Sequence, residues 1–135
     1  MNAARDQGIQ TSAVLTSMDT PIGMAIGNSL EVIETITTLR GNGPVDLVEL
    51  VVVEGAQLLQ AIGRVADNEA ARKMVADTLK NGSALQHFEK MLIQQNVDPD
   101  AAHQLCFGDE QQVLGRAKHL TPLIASQSGN IINLI

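Results

Sequence analysis

The chain has 135 residues, enough for one domain with a core of its own. Hydrophobic residues make up 44% and aromatics only 1%, with two Phe and no Trp or Tyr; a core must come from aliphatic side chains, and sites that stack bases or cations on aromatic rings are excluded. A net charge of −6 without a basic cluster disfavours a phosphate backbone as partner, and a single cysteine, Cys106, rules out an internal disulfide and a paired-cysteine zinc site.

The first ten residues carry Arg5 and Asp6 and no apolar stretch of the secretory type, so they read as a frayed end. Residues 9–16, IQTSAVLT, are rich in β-branched side chains and read as a buried strand. A lone strand leaves its backbone groups unpaired, so this reading requires partners elsewhere in the chain or in another polypeptide. The segment from Thr20 to Asn28 contains Gly23 and Gly27 and reads as a flexible loop, with Asn28 or Ser29 placed to cap the next helix.

Residues 29–39 read as a helix with Leu30, Ile33, Ile36 and Leu39 on one face and Glu31 and Glu34 near its positive end. Gly41 to Pro44 break the chain, and Pro44 opens a second helix over 45–62. That helix is apolar nearly all round and is expected at the centre of a helical layer. The most apolar run, Leu47 to Val53, contains Glu49 and is too short to span a bilayer, which points to a cytoplasmic protein.

Asp67 opens a helix to Lys80. Ser83 to Gln86 has the form of a capping box for the next, whose face carries Leu85, Phe88 and Leu92. Asp98-Pro99 starts a short helix to Leu105, and another covers 109–117. From Leu120 the texture changes, and residues 121–126 and 131–135 read as two short strands around a Gly129-Asn130 turn. The expected fold is mostly α with minor β: strand, glycine-rich loop, about five helices, then short C-terminal strands. Elements that want partners at both ends make the chain read as a piece of a larger protein.

Chemistry is sparse. His87, His103 and His119 lack the spacing of a metal helix motif, and Cys106 between Leu105 and Phe107 reads as a buried inert thiol. The loop of Gly23 and Gly27 outlines a phosphate-binding turn, but Glu31 and Glu34 in the first helical turns would repel an anion. Two readings stay open for these carboxylates. They stabilise the helix dipole, or they join loop carbonyls as hard oxygen ligands for a cation.

The stretch TSMDTPIGMAIGNSLEVIETITTLRGNGPVDLVEL, residues 16–50, resembles the thymidine and pyrimidine-nucleoside phosphorylases. The matching features are Leu-Thr-x-Met-Asp, then Pro-x-Gly-x-Ala-x-Gly-Asn-x-Leu-Glu-Val, then Gly-x-Gly-Pro-x-Asp-Leu. Asn81 to Leu85, Phe88 to Leu92 and Val97 to Pro99 extend the likeness. It implies a pentosyltransferase of nucleoside salvage that cleaves thymidine or uridine with inorganic phosphate to free base and pentose 1-phosphate. It also implies a two-domain α and α/β enzyme, homodimeric at full length, with no nucleic acid or membrane as partner. On that pattern 1–19 would end the α/β nucleoside phosphorylase domain, 20–119 would be the glycine loop and helical segment, and 120–135 would start a C-terminal α/β domain.

The family's phosphate segment and the residues that hold its pyrimidine have no counterpart in these 135 residues, so the resemblance carries over no catalytic residue and implies an inactive fragment. It does imply a monovalent cation, potassium, held in part by the main-chain carbonyls of Ile22 and Ala25 and by Glu34, with the remaining ligands outside these 135 residues. The alternative function is a non-catalytic helical interaction module derived from such an enzyme.

Overall fold

The computed structural model describes residues 2–9, 11–17 and 19–130. Among these residues seven helices follow in order: α1 (Asn2–Asp6), α2 (Asn28–Leu39), α3 (Val45–Ala61), α4 (Asn68–Lys80), α5 (Ser83–Gln94), α6 (Pro99–Phe107) and α7 (Glu110–Leu114). Among the described residues there is no β-strand, which overturns the mixed α and β fold expected from the sequence. The expected first strand and the 121–126 strand are irregular chain; Gln10 and the expected 131–135 strand lie outside the described residues. The reason is pairing. β-Branched residues favour extended backbone, but a strand exists only where another strand accepts its hydrogen bonds.

Residues 11–17 instead run along α3 in the opposite sense. Thr11 and Ser12 border the same hollow as Gln57, Gln60 and Ala61, whereas Val14 to Ser17 border one with Asp46, Glu49, Leu50 and Val53. Leu15, Leu123 and Ile124 remain almost fully exposed.

The core gathers Ile36 of α2, Leu85 of α5, and Leu105 and Cys106 of α6, with Val32, Leu39, Phe88, Leu92 and Leu114 packed around them. On α2 the inward stripe is Val32, Ile36, Leu39, spaced i, i+4, i+7. Leu30, expected on that face, is turned out to solvent. The helices pack in succession, α3 on α4, α4 on α5, α5 on α6 and α6 on α7, with α2 laid on α5. Arg40 at the end of α2 donates to the Cys106 carbonyl at 2.9 Å and pairs with Glu110 at 3.7 Å, tying α2 to the α6–α7 end.

The apolar α3 is not enclosed as expected. Val52 and Ala56 are buried, while Val45 and Leu58, and Ile62 just past its end, face solvent. Among the described residues α4 is the helix on which α3 packs broadly, and residues 14–17 and 20–22 border its Asp46, Glu49, Leu50 and Val53 side. Its approach to α4 is close, since a Cβ on Gly55 would lie 2.9 Å from Val75.

Local rules explain the helix ends. Asp67 accepts the Ala70 N–H at 2.7 Å and Asp98 accepts the Ala101 N–H at 3.0 Å, with Pro99 in the first turn of α6. Asp98→Ala is therefore expected to cost about 1 kcal/mol, read as a lower urea midpoint at unchanged slope. The capping box expected at Ser83 does not form. Gly82 takes a left-handed conformation as N-cap, and the Ser83 N–H donates to Asn81 Oδ1. No helix among the described residues is long and apolar enough to cross a membrane.

Candidate functional site

The loop from Pro21 to Gly27 is held by three carboxylates from two helices. Glu31 Oε1 accepts the Gly27 N–H at 2.8 Å, while the Gly27 carbonyl accepts the Glu31 N–H at the same distance. This closes the start of α2 on its own backbone, so neither Asn28 nor Ser29 is the cap expected from the sequence; Gly27 is. Glu34, one turn further on, accepts the Met24 N–H on Oε1 at 2.7 Å. Asp46, in the first turn of α3, accepts the Gly23 N–H on Oδ2 at 3.0 Å and the Leu47 N–H on Oδ1 at 2.9 Å. Those amide donors, Gly23 first, hold the Asp46 carboxyl below the usual carboxylate range.

Two glycines make this approach geometrically feasible. Gly23 has φ 73°, and a Cβ there would fall on the Glu34 carboxylate, 2.9 Å from its Cδ. Gly43 packs on Thr38, where a Cβ would lie 2.7 Å from Thr38 Cβ and 2.8 Å from its Cα. Thr38 is buried and donates to the Glu34 carbonyl at 2.8 Å. The α2–α3 turn is thus packed tightly enough to bring Asp46 back to a loop 23 residues earlier in the chain.

Ile22, Ala25 and Glu34, the residues singled out from the sequence, line one cavity of about 330 Å³, together with Glu31 and Leu47. On the other side of Ile22, a second hollow of about 420 Å³ lies between residues 14–17 and the start of α3. Asp46 was not among the sequence-derived candidates. Its signal was an acid two residues after a helix-opening proline, which alone reads as ordinary dipole complementation. Among the described residues no three His, Cys, Asp or Glu side chains form a group that could hold a metal ion.

The other candidates lie apart from the loop. His103 of α6 meets Glu89 of α5 at 2.9 Å and stacks at 5.2 Å on Phe107, a surface link between two helices. His87 and His119 are exposed. Cys106 is fully enclosed; burial, with Glu89 adding to it, pushes the thiol pKa up against the opposing pull of Arg40.

Residues 2–85 match the family described as glycosyl transferase family, a/b domain. Human thymidine phosphorylase is 39% identical over 127 residues, which is 92% of this chain and 26% of the human protein. The pyrimidine-nucleoside phosphorylases of Geobacillus stearothermophilus and Bacillus subtilis are 36% and 35% identical over 128 residues, each match covering 95% of this chain and 28% of the relative. The chain belongs to the thymidine and pyrimidine-nucleoside phosphorylase family. It spans about a quarter of the length of these curated relatives. The family match includes the whole loop, α2 and α3, so the carboxylate-held loop lies inside the phosphorylase-like portion.

Proposed function

We propose that these residues form part of a pyrimidine-nucleoside phosphorylase, a pentosyltransferase that uses inorganic phosphate to cleave thymidine or uridine. In that reaction a phosphate oxygen bonds to the anomeric carbon and the N-glycosidic bond breaks. The bonding pair leaves with the base, and the products are free base and pentose 1-phosphate. The whole protein would work as a homodimer. The observation that carries the reading is the capture of the glycine loop by Glu34 within the family-matched stretch. A helix that binds the preceding loop through a charged side chain can fix main-chain oxygens in space, which is a positioning task.

The same loop is our proposed place for a potassium ion, held by the main-chain oxygens of Ile22 and Ala25 and by the Glu34 carboxylate. These are hard oxygen donors of the kind such a cation takes. The absence of a Cβ at Gly23 leaves the Glu34 carboxylate room beside the loop. When bound, the cation would supply positive charge that holds the loop in one conformation.

The test is a chimera. The 135-residue chain replaces the matching segment of the Geobacillus stearothermophilus enzyme, and thymine release from thymidine is followed with phosphate present. The chimera is expected to retain activity within about tenfold of the parent, a loss of roughly 1.4 kcal/mol in transition-state stabilisation. The 135 residues alone are expected to release none. A folded but inactive chimera, or robust turnover by the 135 residues alone, overturns the reading.

A further inference from the structure

We propose that Asp46 is a positioning residue for the loop: by accepting the Gly23 N–H it aims the Ile22 carbonyl oxygen away from α3 and toward the cation side. This rests on the reading of the loop as a potassium site and concerns a residue outside that ligand set. Ile22 C=O and Gly23 N–H belong to one planar trans unit, so they point in opposite directions. Fixing the N–H on Asp46 Oδ2 at 3.0 Å therefore fixes the direction of the carbonyl. The next peptide is held independently, because the Met24 N–H donates to Glu34 Oε1 at 2.7 Å. Two consecutive amides thus donate to carboxylates on two different helices, an arrangement that the left-handed φ of Gly23 permits.

Helix capping alone does not account for Asp46. Its Oδ1 already serves the start of α3 through the Leu47 N–H. The second oxygen is spent on a residue 23 positions back, where it contributes nothing to the helix. Orienting the carboxylate through Leu47 presents Oδ2 to the loop in a fixed direction. A carbonyl aimed in advance spares the ion part of the ordering cost of binding.

The experiment is a potassium chloride titration of the 135-residue chain with sodium chloride as the control, followed by the carbonyl ¹³C resonances of Ile22 and Ala25. The wild type is expected to respond to potassium and not to sodium, and Glu34→Gln to lose the response. Asp46→Ala is expected to raise the half-saturating potassium concentration about tenfold or more, the usual loss when a residue that orients a ligand is removed. Asp46→Ser, which keeps a polar group in the first turn of α3 but is too short to reach Gly23, should weaken binding likewise and guards against simple misfolding of the alanine variant. Asp46→Asn, which retains an acceptor oxygen, should recover most of the affinity. Wild-type half-saturation in both the alanine and serine variants overturns the role of Asp46 and leaves the cation reading standing. Asparagine as weak as alanine also overturns it, because charge rather than the hydrogen bond would then be responsible. No potassium-specific response in the wild type overturns both.

Discussion

Gly23→Ala is expected to lower stability by about 2.5–3.5 kcal/mol and to release Glu34 from the loop. Two costs combine. A non-glycine residue in the left-handed region costs roughly 1–2 kcal/mol. The new Cβ would also occupy the place of the Glu34 carboxylate, which is the far end of a flexible side chain and gives way. Giving way breaks its hydrogen bond to Met24, and a bond to a charged group is worth about 1.5–3 kcal/mol, here at the low end because Glu34 is only half-buried. Gly8 supplies the control. Its φ of 72° is nearly the same, yet a Cβ there would meet nothing within 4 Å, so Gly8→Ala should show the backbone cost alone. A double-mutant cycle isolates the second cost. In a Glu34→Ala background, Gly23→Ala should fall to the value seen at Gly8. Equal losses at Gly8 and Gly23 in the unaltered chain, measured by urea denaturation, would show that the Glu34 clamp contributes nothing.

Ile36→Ala is expected to cost about 3–4 kcal/mol, the largest effect of any single substitution considered, since removing a buried isoleucine loses its transfer free energy and leaves a cavity. Ile36 is fully buried where α2, α5 and α6 meet, and few side chains in this chain are enclosed to that degree. For a domain with roughly 5–15 kcal/mol in total, the loss is a large fraction of stability. Leu30→Ala, one and a half turns earlier on α2, should cost under about 1 kcal/mol, because Leu30 is 57% exposed. The urea midpoints of the two variants compare the faces directly. Similar losses at both positions would mean that the helix packs through the face read from the sequence, Leu30 included.

These substitutions also mark where sequence reading succeeds. The helices over 28–39, 45–61, 68–80, 83–94 and 99–107 lie within a few residues of their expected bounds. Their signals are local: Asp67 and Asp98 as caps, Pro44 and Pro99 at helix starts, and the Leu85, Phe88, Leu92 stripe. The membership in the phosphorylase family was likewise legible, because the Gly-rich loop and its following acids form a pattern dense enough to recognise. Which side chain of the loop's surroundings meets which amide was not legible. Asp46 and Gly23 are far apart in sequence, and they meet only in the folded chain, where Gly43 packs closely on Thr38 at the turn between α2 and α3.

The sequence by itself determined the main helices, the caps Asp67 and Asp98, and the family, since each depends on neighbours within a turn or on a residue pattern read in order. The tertiary structure alone decided three other things: that residues 11–17 and 121–126 form no strand, that the apolar Val45 and Leu58 of α3 stay exposed, and that three carboxylates converge on one loop. The physical reason is common to all three. Strand pairing, burial and long-range hydrogen bonds are properties of a residue's partners in space, and β-branched or apolar side chains state a preference that only those partners can satisfy.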